Sequence, residues 1–303
     1  MERTLAETIR EYTRIHLLEN NGLLLAQCVA AVGWIGGTVP ELTEEQGIIE
    51  LPICDASGSG FACGAALAGR RPIFIVRYQG FMWYDCVSLI NYAAKSKEIW
   101  NTPCPIFIRS IAMEGKGIGP VASSAQYSMF MRPPGLQVCA PMTPHEWGEA
   151  WQWFLDHDDP IYVSEHRLSY STTEEASNTI RDDARITIIA ISAGRINAKK
   201  SVKYLSEEGI ACDLIHLMWL KPLKITDEMR ASLSKTGRGV IVDSDFSIAG
   251  ASRSIAYELM HDTGAKVYAF GLEDRSSGVS KSTENCTPSP QKIVSYVEEL
   301  LRK

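Results

Sequence analysis

Residues 52–78 read "PICDASGSGFACGAALAGRRPIFIVRY": an acid, Asp55, then a helix built almost entirely of small residues, then a short β-branched run. Gly60, Gly64 and Ala68 are spaced four apart and fall on one helical face, where missing side chains let a helix or a ligand approach closely. The run "RPIFIVRY" has the length and composition of a buried strand. A helix feeding such a strand is the unit of an α/β layered domain. Taken alone, the small-residue face serves tight packing, and Asp55 is an acid at a helix N-terminus, placed to satisfy first-turn N–H groups.

The same alternation extends on both sides. "CPIFIRS" (104–110), "GLQVCAPM" (135–142) and "PIYVSEH" (160–166) are further strand-like runs separated by helix-like segments, which implies parallel strands with crossover helices. The polar stretch "STTEEASNTIRDD" (171–183) has the composition of a linker. After it the alternation restarts with "ARITIIAIS", "NAKKSVKYLSEEG", "ACDLIHL", "TDEMRASLSKTG" and "GVIVDSD". Two α/β domains are therefore expected, 1–175 and 184–303, each a mainly parallel sheet flanked by helices. Upstream, "MERTLAETIREYTRIHLLENN" has helical spacing of Leu5, Ile9, Tyr12 and Leu17, and its charges set it apart from a signal peptide. "GLLLAQCVAAVGWIGG" (22–37) is too short and too interrupted to span a bilayer and reads as a buried strand followed by a loop.

Composition narrows the function classes. The 303 residues are 45% hydrophobic and 22% charged, enough apolar material for two cores. A net charge of −6 and the lack of any Lys/Arg run argue against a nucleic-acid partner. Eight scattered cysteines without a CxxC pair indicate neither a zinc site nor a disulfide framework, and fit reduced thiols of a cytoplasmic protein.

The ordered series "IIELPICDASGSGFACGAALAGRRPIF", "GFMWYDCVSLINYAAK", "CPIFIRS", "PPGLQVCAPMTPHEW", "DPIYVSEHRLSY" and "LKPLKITDEMRASLSKTGRGVIVDSD" resembles the beta subunit of thiamine-diphosphate-dependent 2-oxo acid dehydrogenases. More distantly it is similar to the C-terminal half of transketolase, as is "FGLEDRSSGVS" near the C-terminus. The resemblance covers nearly the whole chain. It implies a pyrimidine-binding domain followed by a transketolase C-terminal-type domain, with the cofactor's pyrimidine half bound by this chain.

In that family the acid before the small-residue helix is a glutamate that bonds a ring nitrogen of the aminopyrimidine and so primes the thiazolium carbon to attack a substrate carbonyl. The resemblance thus makes Asp55 the catalytic and cofactor-binding acid, one methylene and about 1.5 Å shorter than the family's residue. It also assigns Tyr78, Phe81 and Tyr84 of "YQGFMWY" to an aromatic cluster, with Phe81 the ring that stacks on the pyrimidine. Where the dehydrogenase subunits carry His-Ser-Gln, this chain has Ala122, Ser123 and Ser124, so the family's active-site histidine is missing. Gln27 stands where an acid is usual. Ser123, Ser124, Gln126 and His166 are the remaining substrate-side candidates. No Gly-Asp-Gly motif occurs in the sequence, so Mg²⁺ and the cofactor's diphosphate would be held by an alpha-type partner in an α2β2 heterotetramer.

These expectations describe a 2-oxo acid decarboxylase or dehydrogenase-like component, the missing histidine favouring product release or transfer without a lipoyl carrier. Ketol transfer of the transketolase kind and a noncatalytic assembly subunit are the alternatives.

Overall fold

The computed structural model describes residues 2–303, Asp55 by its backbone alone. The chain divides into two units, residues 1–113 with 130–175, and residues 114–129 with 176–303. Segment 114–129, expected in the first domain, is thus grouped with the second, where Tyr127 and Ser128 bond to Asp243 and Asp245 and Thr287 donates to Glu114.

The first unit opens with helix Leu5–Glu19, whose start is fixed by a capping box: Thr4 Oγ1 accepts from Glu7 N–H while Glu7 accepts from Thr4 N–H. Its sheet contains six parallel strands, β1 (Leu23–Gln27), β2 (Ile48–Leu51), β3 (Pro72–Val76), β4 (Phe107–Ala112), β5 (Gln137–Cys139) and β6 (Ile161–His166), in the order β2-β1-β3-β4-β6-β5. Strands β3, β4 and β6 are buried along their whole length, which is why they read as unbroken apolar runs rather than alternating ones. The chain steps from β1 outward to β2, then crosses back to lay β3 on the other side of β1. That reversal opens a crevice beyond the carboxyl ends of β1 and β3, the place where open parallel sheets bind ligands.

The β2-to-β3 crossover is the small-residue helix, Asp55–Leu67. Ser59, Ala62, Cys63 and Ala66 form its buried face. Gly64 and Ala68, expected to admit a close neighbour, are exposed, and a side chain at Gly64 would meet nothing within 4 Å. The packing face is therefore turned from the one inferred by counting glycines, because alanine and serine are equally small. Between β1 and β2 the backbone makes a left-handed turn over Gly33–Gly37, with Trp34 and Ile35 both at positive φ near 50°.

The second unit contains β7 (Ile186–Ile191), β8 (Cys212–Leu217), the short β9 (Trp219–Lys221), β10 (Arg238–Phe246) and β11 (Lys266–Leu272). Four of these form a parallel sheet in the order β11-β10-β7-β8. Helices Gly194–Glu207 and Pro290–Arg302 close its core, with Leu205, Ile293 and Val297 packed on Ile188, Leu214 and Val240. All eight cysteines are free thiols, and among the described residues no helix is long and apolar enough to cross a membrane.

Candidate functional site

The crevice between β1 and β3 is a cleft of about 230 Å³. Gln27, the last residue of β1, and Cys28 form one wall, Ile53 sits ahead of the small-residue helix, and Phe74, Phe81 and Asp85 form the rest with Ile75, Val76 and Arg77. Cys28 has a positive φ of 54°, which turns the chain sharply off the strand end and leaves the crevice open.

Phe81 owes its position to Gln79. The 3₁₀ turn Gln79–Phe81 leads directly into helix Met82–Ser88. The fully buried Gln79 amide donates to Ser110 O at 3.1 Å and to Ser164 Oγ at 2.7 Å, tying the turn to β4 and β6. Phe81 is left half-buried with its ring against the cleft. Four residues on, and therefore on the same helical side, Asp85 is buried to 2% exposure. A Cβ built on Gly58 would lie 3.5 Å from Asp85 Oδ1, so this carboxylate rests against the first turn of the small-residue helix.

The other two rings of the expected ladder do not share that wall. Tyr78 precedes the turn in an extended conformation (φ −134°, ψ 137°), so the i, i+3, i+6 spacing never becomes a helical face. Its ring lies 6.2 Å from Phe81, tilted 40°, with the Arg77 guanidinium 4.9 Å above it. Tyr78, Arg77 and Arg167 line a small neighbouring cavity with Ile35, Gly36 and Ile111. Tyr84 is 62% exposed on the outer side of its helix.

Among the remaining candidates, His166 ends β6 fully buried, its Nδ1 accepting the Leu168 N–H at 3.3 Å. Burial pushes its pKa down to about 4, so it is neutral at pH 7 and turned away from solvent. Ser123, Ser124 and Gln126 lie in the second unit. Ser123 Oγ bonds Gly119 O at 2.7 Å and Glu284 Oε1 at 3.1 Å, and Gln126 donates to Ser124 Oγ at 3.4 Å. Asp55 is the first helical residue, the N-cap being Cys54 without a side-chain cap; the Asp55 side chain lies outside what the structure describes. Among the described residues no cluster of His, Cys, Asp or Glu could hold a metal ion.

Residues 25–173 match the transketolase pyrimidine-binding domain model and residues 175–293 the transketolase C-terminal domain model. The chain belongs to the transketolase-type family. Within it, a pyruvate dehydrogenase E1 component subunit beta from Chaetosphaeridium globosum is 27% identical, over 84% of this chain and 83% of its own length. An acetoin:2,6-dichlorophenolindophenol oxidoreductase subunit beta from Cupriavidus necator is 28% identical over 70% of this chain and 67% of that protein. The fold is also that of a solved structure described as a split gene transketolase, inactive beta4 tetramer, with a TM-score of 0.74 at 16% identity over 100% of this chain and 99% of that one. Transketolase from Campylobacter jejuni gives the same TM-score at 18% identity, this chain spanning 47% of it. In this transketolase-type chain the cleft falls inside the pyrimidine-binding domain. Asp85, Gln79, Arg77 and Arg167 escaped the sequence reading because each is ordinary in type and comes to the cleft, its neighbouring cavity or the turn beside them only through strand order.

Proposed function

We propose that this chain is the beta-type subunit of a two-subunit thiamine-diphosphate-dependent enzyme that cleaves or forms a carbon–carbon bond next to a carbonyl, acting on a 2-oxo acid. The observation that carries it is the switch-point cleft: a crevice of about 230 Å³, one aromatic face at Phe81, and the small-residue helix beginning beside it at Asp55. These residues fit the pyrimidine half of the cofactor, a flat heteroaromatic ring with polar atoms along one edge. Thiamine diphosphate, when bound, supplies an electron sink for breaking the bond beside the carbonyl. Phe81 stacks on the ring, Gln79 holds Phe81 in place, and Asp55 is the acid assigned to hold a proton at the ring nitrogen. Arg77 and Arg167, neither in an ion pair among the described residues, supply positive charge beside the cleft for an anionic substrate group.

The partner assigned is an alpha-type chain contributing Mg²⁺ and the diphosphate site in an α2β2 assembly. Helix Asp55–Leu67 and the helical run Met82–Trp100 expose the large apolar side chains Phe61, Leu67, Trp83, Tyr84, Val87 and Tyr92, which suit a partner surface. The beta-subunit names of the relatives and the inactivity stated for the beta4 tetramer agree with a chain that works only with a second one. Transketolase-like ketol transfer stays the second reading, favoured by the pair of arginines, which suits a phosphate as well as a carboxylate.

Co-expression with the alpha-type chain, followed by calorimetric titration with thiamine diphosphate and Mg²⁺ and turnover of a panel of 2-oxo acids and ketose phosphates, tests the reading. Binding with turnover of a 2-oxo acid supports it; no cofactor binding by the assembled complex sinks it. Asp55→Ala is expected to leave assembly intact and abolish proton exchange at the thiazolium carbon. An increase in rate on Asp55→Glu would identify a weakened family site, and a decrease a cleft rebuilt around the shorter acid.

A further inference from the structure

We propose that the buried Asp243–Asp245 pair is a proton-sensitive latch for segment 114–129: it holds the stretch carrying Ser123, Ser124 and Gln126 while one proton is retained, and lets it go when both carboxylates ionise. This goes beyond the reading above and does not depend on which cofactor the cleft takes.

The segment has a pliant end and a caught end. Gly115, Gly117 and Gly119 all have positive φ, from 68° to 91°, a backbone that glycine adopts without strain. The short helix Pro120–Ser123 follows, then the 3₁₀ turn Tyr127–Met131. At that turn two neighbouring residues take both acids: Tyr127 O–H donates to Asp243, and Ser128 N–H and O–H donate to Asp245. Ser128 Oγ in turn accepts the Ala251 N–H at 2.8 Å, from the first residue of helix Ala251–Thr263. Toward the glycine end, Ser123 Oγ and Lys116 N–H donate to Glu284 at 3.1 and 3.3 Å, and Glu114 accepts from Thr287.

The catch is where two like charges meet. Asp243 and Asp245 stand two apart on β10, hence on one face, at 0% and 3% exposure. Asp245 N–H bonds Asp243 Oδ1 at 3.1 Å, which draws the first carboxylate toward the second residue. Among the described residues no cation answers them. On β11 the facing position is Gly271, where a Cβ would lie 3.3 Å from Asp243 Cβ, and β7 carries no charged residue along its length. Arg253, in the first turn of helix Ala251–Thr263, is exposed, and Arg195 of helix Gly194–Glu207 bonds His216 at 3.2 Å. Tyr127 itself is kept neutral by burial beside the two acids. Two carboxylates shut in together without a cation are costly to keep both ionised, so the closed state retains a proton. Burial and the Asp243 charge hold it on Asp245 up to about pH 7. Lifting the segment brings water to the pair and returns Asp245 toward its ordinary value of 3.8, so ionisation favours the lifted state. Release therefore becomes easier by up to about tenfold per pH unit between those values and levels off above the upper one.

The test reads amide hydrogen exchange of the full chain between pH 6 and pH 8, corrected for intrinsic rates, over residues 120–130, with β8 followed in parallel. Protection of 120–130 is expected to fall roughly tenfold across that range, most of it below pH 7. Low urea separates a lifted segment from an unfolded unit: exchange in 120–130 should respond to it weakly and exchange in β8 steeply, because a local opening exposes little surface. Asp245→Asn is expected to abolish the fall and to keep at pH 8 the protection seen at pH 6. Asp243→Asn leaves the Ser128 contacts in place, relieves Asp245 of its neighbour's charge and should shrink the fall, which keeps the test open if Asp245→Asn does not fold. Equal protection at pH 6 and pH 8 in the unaltered chain overturns the proposal. So does a fall that persists undiminished in every variant that folds, or one carried by an opening as urea-sensitive as that of β8.

Discussion

Two buried charge clusters, one in each unit, are held by opposite means. In the first, Arg109 is fully buried in β4 and pairs with Glu165 of β6 through two bonds, at 2.6 and 3.0 Å, while Tyr170 and Thr38 supply further polar contacts at 2.7 and 2.8 Å. Opposite charges cancel there, and the adjacent His166 is held neutral. In the second, Asp243 and Asp245 lie two residues apart on β10, both buried, with no cation beside them among the described residues. Tyr127 O–H and the N–H groups of Asp245 and Ser252 donate to Asp243; Ser128 N–H and O–H and Phe246 N–H donate to Asp245. Donors satisfy the oxygens but leave two like charges close together, so burial and the Asp243 charge push Asp245 up to about 7. A buried acid is therefore no functional signal by itself; the pair on β10 gains one only through the segment bonded to it.

The contrast can be broken most forcefully by deleting one acid from each unit. Glu165→Ala leaves the Arg109 charge buried and uncompensated and is expected to cost about 3–5 kcal/mol in denaturant unfolding. Asp243→Asn removes one of two repelling charges and is expected to stabilise the second unit at pH 8. A loss of stability there would show that the pair is held by more than the donors named.

Acid titration should split the units next. The native pKa of His166 is below its unfolded value of 6.5, so the fold favours the neutral ring. Its contribution is present above pH 6.5 and is lost as pH falls toward 4, by roughly 3 kcal/mol at the limit. The native pKa of Asp245 is above its unfolded value of 3.8, so its contribution is complete below that value and is lost as pH rises through about 7. Hydrogen exchange corrected for intrinsic rates should show β6 loosening between pH 6.5 and 4.5, and β10 tightening over the same range. The two strands moving together would contradict the assignment.

The smallest effect expected is at Gly64. Ala at this exposed helical position removes the glycine penalty and should stabilise the isolated chain by about 0.5–1 kcal/mol. If the face it belongs to seats the partner, the same change weakens assembly, which sedimentation of the co-expressed complex would show as dissociation at higher concentration.

Much of this architecture was legible in the sequence because period and composition are local. The apolar runs at 72–76, 107–112 and 161–166 announce strands, and the polar stretch 171–183 announces a break. Phe81 is singled out by its neighbours' resemblance to a known pattern, and it does line the cleft. Asp85 was within reach, being four residues after Phe81, but the ladder was counted in steps of three through Tyr78, which the structure leaves outside the helix. What no local pattern carries is the order β2-β1-β3-β4. That order alone makes Gln27, Phe81 and Asp85 neighbours across 58 residues of chain, just as bonds to Asp243, Asp245 and Thr287 group segment 114–129 with residues far downstream.

The left-handed turn at Gly33–Gly37 acts as a gauge. Trp34 and Ile35 each give up roughly 1–2 kcal/mol to stay in that conformation, and the turn brings Gly36 so near Arg167 that a Cβ would stand 2.4 Å from its guanidinium. Local stability is thereby exchanged for a fixed address for one positive charge. Ile35→Gly would release that strain but also delete a buried side chain, whose loss costs more than the strain returns, so packing rather than propensity holds the segment where an anionic group would be met.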